Sequence, residues 1–162
     1  TSPDAIDLYG RYNVLSRTEL KARQEIYIEQ YCKTIRTEAN LVIRMARTIV
    51  YPAGLRYQRE LAGVCLDMCA INKELNRPDR QPDTALLDQV ESLLAALRHA
   101  VDGLEAVLEN GEYANSVQEA HHYRVEVLPR MEEVRALADN LETLTPEDLW
   151  PLPSYQEMLF IK

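Results

Sequence analysis

The sequence has 162 residues and a net charge of −8, and its 46% hydrophobic and 27% charged residues are typical of one globular domain. No apolar run approaches the length of a membrane span and no basic-then-apolar leader opens the chain, so we expect a cytoplasmic protein with no membrane partner. Three cysteines, an odd number, argue against a disulfide framework and favour a reducing compartment.

The first predicted element is a long amphipathic helix over residues 16–75. Ser16 and Glu19 have the spacing of a capping box, which satisfies free amides at a helix start. Beyond them, apolar residues recur at steps of three and four, the spacing that lines one helical face. This face comprises Ile28, Tyr31, Ile35, Ala39, Val42, Ala46 and Ile49, followed by Leu61, Cys65, Met68, Ile71 and Leu75.

Pro52 interrupts this pattern. Proline removes a backbone donor and clashes with the preceding turn of a helix. Because no capping residue or polar loop stands beside Pro52, we favour a kinked helix that continues through it. A pair of helices that reverses at Pro52 is the alternative.

The polar face of the same helix is basic, with Lys33, Arg36, Arg44 and Arg47. Residues 1–59 hold 10 Lys and Arg against 6 Asp and Glu, whereas residues 60–162 hold 8 against 20. We therefore expect this basic stripe to meet an acidic surface, in the same molecule or a neighbouring subunit, and not a nucleic acid. Binding of a phosphate or nucleotide by the stripe is the less favoured interpretation.

Two further helices are predicted over residues 84–109 and 116–141. Asp83 or Thr84 is placed to cap the first of them, and Asn110 with Gly111 to end it in a left-handed cap. Ser116 and Glu119 have the spacing of a second capping box, and Pro129 predicts a kink. The inward stripes are Leu86, Val90, Leu93, Leu97, Val101, Leu104 and Leu108, widened by Leu87 and Leu94, and then Val127, Met131, Val134, Ala138 and Leu141.

The last predicted element is a docking tail over residues 145–160, "TPEDLWPLPSYQEMLF", which contains the only Trp and the only Phe of the chain. Its prolines lower the entropy that the segment loses on ordering. Trp150, Tyr155 and Phe160 supply apolar surface, and we expect the tail to pack back on its own helices with Trp150 as the anchor. Thr145 and Ser154 are placed to cap short turns within it.

These elements together predict an all-α fold in one domain, residues 1–162. The expected architecture is an antiparallel bundle of three to four long, kinked helices, carrying the docked tail rich in proline and aromatic residues.

Motifs for chemistry are scarce in this sequence. It has no glycine-rich phosphate loop, no GxSxG elbow, no CxxC pair and no HExxH. Glu119 and His122 form one Glu-x-x-His step, but a di-iron bundle needs a second such pair, so we interpret His121 and His122 as partly exposed histidines on a bundle helix. We expect Cys32, Cys65 and Cys69 to be buried structural thiols. We predict no catalytic residue, no metal ligand and no cofactor in this segment.

Four stretches carry a resemblance to a known family. They are "NVLSRTELKARQEIYIEQYCKTI", "MARTIVYPAGLRYQRELA", "VLPRMEEVRALADNLE" and the terminal "WPLPSYQEMLF". In this order they resemble the C-terminal region of the large, type III glutamine synthetases of bacteria. The likeness runs from Asn13 to Phe160. Thr1 at the first position fits either removal of an initiator Met or excision from a longer polypeptide.

The resemblance implies a parent enzyme that joins ammonia to glutamate with ATP and divalent metal, and that assembles from stacked hexameric rings. The metal-binding, ammonia-site and phosphate-binding motifs of that family have no match in this chain. The resemblance therefore implies a non-catalytic domain with a structural, oligomerisation or regulatory role. Its partners would be the catalytic core of its own polypeptide and neighbouring subunits, contacted through Lys33, Arg36, Arg44, Arg47, Trp150, Tyr155 and Phe160.

Two other classes stay open on the residues alone. One is a standalone helical adaptor that offers a groove to a protein partner. The other is a metal-binding four-helix bundle. An upstream reading frame with synthetase motifs would exclude the adaptor, and elemental analysis of the pure protein would identify the metal protein.

Overall fold

The structure, a computed structural model, describes residues 2–77, 80–109, 111, 113–153 and 155–159, the last range without the side chains of residues 155 and 156. Every regular element in these ranges is helical, which confirms the all-α prediction. The helices are α1 (Pro3–Arg11), α2 (Arg17–Met45), α3 (Tyr51–Glu74), α4 (Ala85–Glu109), α5 (Ser116–His122), α6 (Leu128–Leu144) and α7 (Tyr155–Leu159). None of the helices in the described residues is long and apolar enough to cross a membrane.

Two π-helical turns join helices end to end. Ala46–Val50 connects α2 to α3, and Tyr123–Val127 connects α5 to α6. Each turn is closed by a hydrogen bond to the fifth residue back, from the Tyr51 amide to the Ala46 carbonyl and from the Leu128 amide to the Tyr123 carbonyl. Residues 17–74 thus form one continuous helix, here called the long helix, and residues 116–144 form the third helix.

A proline follows each π-helical turn at the same position. Pro52 and Pro129 both come two residues after the turn ends. Since proline has no amide hydrogen and its ring presses on the preceding turn, a wider turn just before it relieves the clash without breaking the helix. The helix therefore continues through Pro52 and does not reverse there.

The helix starts are capped mainly by side chains named above. The Ser16 amide donates to the Glu19 carboxylate at 2.7 Å and the Glu19 amide donates to the Ser16 hydroxyl at 3.3 Å, which confirms the capping box. The hydrogen bond from the Ser16 amide lowers the pKa of Glu19. Asp83 accepts from the Ala85 amide at 2.9 Å and so caps α4.

Two other predicted caps are wrong. Asn115, not Ser116, caps the third helix, accepting from the Gln118 amide at 2.9 Å, because Asn is as good a cap and precedes Ser116 by one residue. Gly111 does not adopt the predicted left-handed conformation, since no described glycine has a positive φ, and Asn110 lies outside the described residues. Asn76 does so instead, with φ 51°, at the end of α3.

The long helix and α4 run side by side in opposite directions. Arg47 contacts Asp102 and Glu105, Gly54 lies against Leu94, and the Cys65 Sγ lies 3.8 Å from the Asp83 carbonyl oxygen. Residue numbers rise on one helix as they fall on the other. The third helix packs on both, most extensively on α4.

The core lies where these three helices meet. Its largest fully buried side chains are those of Val90, Leu97, Leu104, Val127, Val134 and Leu141. The long helix adds Cys32, Ile35, Ala39, Ile43, Ala46, Val50 and Tyr57. The predicted stripe on α4 is therefore correct from Val90 onward, and that on the third helix is correct at Val127, Val134 and Leu141.

Some residues predicted to face inward do not. Met68, Ile71 and Leu75 at the end of the long helix are exposed, as is Leu86 at the start of α4. Tyr31 is 36% exposed and Val42 is only partly buried, whereas their neighbours Cys32 and Ile43 are buried. The third helix covers one side of the long helix only near its middle, so the apolar spacing continues past the end of the core.

Candidate functional site

The four residues of the basic stripe lie in different surroundings. Lys33 pairs with Glu29 one turn earlier at 3.1 Å, a contact in which both side chains are largely exposed. Arg44 is exposed, and its backbone carbonyl accepts a hydrogen bond from the Thr48 hydroxyl at 2.7 Å. Arg36 and Lys33 line a cleft between α2, the end of α4 and the start of α5. The stripe is thus not one continuous basic surface.

Arg47 makes the ion pairs that tie the long helix to α4. Its guanidinium donates to both carboxylate oxygens of Glu105, at 2.7 and 2.6 Å, and to Asp102 at 3.0 Å. A fork of two parallel hydrogen bonds is the strongest arginine–carboxylate geometry. The hydrogen bond from Arg47 lowers the pKa of Glu105, and Glu105 and Asp102 raise the pKa of Arg47. Arg47 therefore meets an acidic surface within its own chain.

The cleft has a volume of about 860 Å³ and lies between α2, the end of α4 and the start of α5. Its floor includes the buried Cys32 and Tyr123, and Tyr113 closes one side. Tyr123 belongs to the second π-helical turn, a feature that is frequent at functional sites. The charged residues of the lining are Glu29, Lys33, Arg36, Glu105, Glu109 and Glu119.

The electrostatics of the cleft centre on Arg36 and Glu119. Burial is the largest cause of the raised pKa of Cys32, Tyr113 and Tyr123. The negative charge of Glu119 raises these three pKa values further, whereas the positive charge of Arg36 lowers those of the two tyrosines. Arg36 and Glu119 thus act on the same phenol groups from the same cleft.

His122 stands at the edge of this cleft. Its Nε2 lies 3.1 Å from the Val107 carbonyl oxygen, and its ring centroid lies 5.2 Å from that of Tyr113. The interpretation of His121 and His122 as partly exposed histidines on a helix agrees with the structure, in which His121 is exposed and His122 is partly buried. No three His, Cys, Asp or Glu side chains among the described residues are grouped so that they could hold a metal ion.

The three cysteines differ from the prediction. Cys32 is buried as expected, but Cys65 is only partly buried and Cys69 is exposed. Both lie on the last third of the long helix, where the third helix does not cover it. The prediction of buried thiols is wrong for Cys69, because the helix extends past the core.

The tail is described in part. Trp150 and Leu149 are partly buried and pack against the core cluster, so the tail contacts its own helices through Trp150. The Trp150 indole nitrogen is buried without a hydrogen-bond partner in the described residues. Thr145 ends α6, and its hydroxyl donates to the Leu141 carbonyl at 2.7 Å instead of capping the next turn. The predicted short turn after it does form, since the Pro146 carbonyl accepts from the Leu149 amide at 3.0 Å. The side chain of Tyr155, and Ser154 and Phe160 altogether, lie outside the described residues.

Sequence reasoning did not find the cleft. The sequence pattern places Arg36 in the basic stripe of one helix. Tyr113, Glu119 and Tyr123 belong to a distant part of the chain. The sequence contains one weak indication of the cleft, because the polar Glu119 and the aromatic Tyr123 are four residues apart and share one helical face. Only the packing of α2 against α5 brings Arg36 to that face.

Comparison with known proteins gives one family and several relatives. Residues 1–68 match the family described as the glutamine synthetase C-terminal domain. The chain is 31% identical over 160 residues to a type-3 glutamine synthetase of Dictyostelium discoideum, an alignment that covers 97% of this chain and 22% of that protein. It is 29% identical to a glutamine synthetase of Butyrivibrio fibrisolvens and 26% identical to one of Bacteroides fragilis, over 98% and 92% of this chain. The chain spans about a fifth of the length of these curated relatives, 22% and 21% of the last two.

Proposed function

We propose that this chain is the non-catalytic, structural part of a longer type III glutamine synthetase, because residues 1–68 match the glutamine synthetase C-terminal domain and 97% of the chain aligns with a type-3 glutamine synthetase. The observation that carries this proposal is the unequal share of the two proteins that the alignment covers. Similarity extends over 97% of this chain but over only 22% of the Dictyostelium relative. The remainder of such a polypeptide has ample length for a separate catalytic core.

The proposed activity of the whole enzyme is the ATP-dependent ligation of ammonia to glutamate, with divalent metal, in the cytoplasm. ATP and metal would bind in the core and not in this segment. Ligation of this kind needs metal ions and cationic clamps on a transferring phosphoryl group. The described residues of this chain offer instead three packed helices with an apolar interior.

We propose that the domain is an antiparallel bundle of three long helices, and that it stabilises its own subunit and contacts neighbouring subunits. The proposed contact residues are Lys33, Arg36, Arg44, Trp150, Tyr155 and Phe160, together with Arg47, whose side chain already pairs within the chain. Exposed apolar side chains at both ends of the long helix support this role. They include Ile26 and Tyr27 near one end and Val64, Leu66 and Ile71 near the other.

The proposal is tested first by assaying the 162-residue chain for glutamine formation from glutamate, ammonium and ATP. We expect background turnover only, because no ligand or phosphate-binding motif is present in the sequence. The longer synthetase polypeptide, assayed in parallel, is the positive control. Turnover by the isolated chain well above the blank would contradict a non-catalytic role.

A further inference from the structure

We propose that the cleft between α2 and α5 binds a small zwitterion of the α-amino acid type. Arg36 would receive the carboxylate and Glu119 the ammonium group. This inference goes beyond a structural role and does not depend on it, because it concerns side chains that face solvent within a single chain.

The first support is the pairing state of the charges in the cleft. Lys33 is engaged with Glu29, and Glu105 is engaged with Arg47. Within the described residues, neither Arg36 nor Glu119 has an oppositely charged group within the 4.0 Å of an ion pair. Both nevertheless line the same cleft, and their charges shift the pKa values of the same two tyrosines. In the described part of the chain, an unpaired cation and an unpaired anion thus line the same cleft.

The second support is the sign of the charges. A simple anion such as phosphate would gain Arg36 but would also face Glu119 and Glu109. A simple cation would meet the opposite conflict at Arg36. Because like charges brought together in a binding site cost affinity, a molecule that carries both charges fits this lining better than either ion.

The third support is the shape and chemistry of the walls. Tyr113 and Tyr123 contribute ring faces, and Ile43 and Leu108 contribute aliphatic surface. Most of the remaining lining is polar, including Asn40, Asn115 and Ser116, so the cleft offers hydrogen-bond partners to a polar ligand beside these apolar walls. At about 860 Å³ the cleft falls within the usual size of such sites.

The test is a titration of the ¹⁵N-labelled 162-residue chain with L-glutamine, followed by amide chemical shifts. L-Glutamine carries the two charges of an α-amino acid, and its side-chain amide adds hydrogen bonds but no third charge. We expect saturable shifts confined to residues 32–43 and 105–123. N-acetyl-L-glutamine, which lacks the ammonium charge, and L-glutamine methyl ester, which lacks the carboxylate, should each bind at least about tenfold more weakly.

Variants assign the two charges. Arg36→Gln should weaken L-glutamine binding about tenfold but should not weaken binding of the methyl ester, because that ligand has no carboxylate to lose and its positive charge is opposed by Arg36. Glu119→Gln should show the reverse, with the anionic N-acetyl-L-glutamine as the ligand whose binding is not weakened. Arg44→Gln, on the same helix but outside the cleft, is the matched control and should change nothing. Circular dichroism melts establish that every variant is folded.

Three results would overturn the proposal: no saturable shift in the millimolar range, shifts that lie elsewhere in the chain, or inorganic phosphate binding as well as L-glutamine does. The last result would indicate an anion site instead. None of them bears on the catalytic assay of the chain, so the structural role and the amino acid site can fail separately.

Discussion

Gly54 determines how closely the long helix approaches α4. A Cβ atom built on Gly54 would lie 2.6 Å from the Cδ2 of Leu94, which is buried in the core. Gly63, nine residues further on, has open space around the same position. Contact with Leu94 therefore leaves no room for a side chain at position 54, whereas nothing around position 63 excludes one.

Replacing each glycine by alanine separates packing from helix propensity. Gly63→Ala should stabilise the protein by about 0.5 to 1 kcal/mol, the usual gain inside a helix. Gly54→Ala gains the same propensity but must displace Leu94, an overpacking that costs about 1 to 3 kcal/mol. The measurement is urea unfolding of both variants beside the parent. Equal stabilisation by the two substitutions would show that Leu94 moves aside freely.

Arg47 is the residue through which the basic half of the sequence meets the acidic half. Arg47→Gln should lower the melting temperature by no more than a few degrees, since the pairs are partly exposed. Arg44→Gln, which breaks no ion pair among the described residues, should not lower it. Added salt should reduce the difference between Arg47→Gln and the parent.

The same contact has a defined pH dependence. The pKa of Glu105 is lowered in the folded chain, so the stabilisation is present above its unfolded pKa and is lost as the pH falls through the folded value. The difference in melting temperature between Arg47→Gln and the parent should therefore persist at neutral pH. It should shrink as the pH falls below the ordinary carboxylate pKa of about 4 and disappear only below the lowered pKa of Glu105 in the folded chain. A difference that stays constant to lower pH would mean that Arg47 acts through packing alone.

At the scale of elements, helix type, the capping box at Ser16 and most of the α4 stripe could be predicted from the sequence. The apolar spacing and the capping chemistry are local, so a single sequence carries them. The π-helical turns could not be predicted, because each depends on how the chain accommodates a proline without losing its packing. The buried face of α2 also differs from the prediction before the first of these turns, since Cys32 and Ile43 are buried where Tyr31 and Val42 were expected.

The tail is the other element whose contacts decide its role. Trp150 packs against the core while its indole nitrogen lacks a partner in the described residues. Trp150→Ala should destabilise the chain by about 2 to 3 kcal/mol, less than the loss of a fully buried tryptophan. Trp150→Phe should cost clearly less, because it keeps an aromatic ring and removes a buried donor without an acceptor.

Fluorescence of the parent checks the same contact, since Trp150 is the only tryptophan. We expect a blue-shifted emission that is partly shielded from quencher. An emission like that of free tryptophan, combined with an unchanged melting temperature in Trp150→Ala, would place the docking site of the tail outside this chain.

At the scale of the whole molecule, the cleft shows what a single sequence leaves undetermined. Arg36 and Glu119 are separated by most of the chain, and only the packing of α2 on α5 brings them into one cavity. No local sequence pattern predicts that Arg36 and Glu119 line one cavity, whereas the family likeness rests on four local stretches of sequence. The family was therefore readable from the sequence, but the candidate site was not.

The central claim is that this chain is a structural domain of a longer synthetase, and sedimentation of the longer polypeptide tests it most directly. The full polypeptide should sediment as a large homo-oligomer with synthetase activity. The same polypeptide without these 162 residues should sediment as smaller species, and its activity should fall with the loss of assembly. A shortened polypeptide that keeps both the full oligomeric mass and the full activity would contradict the structural role.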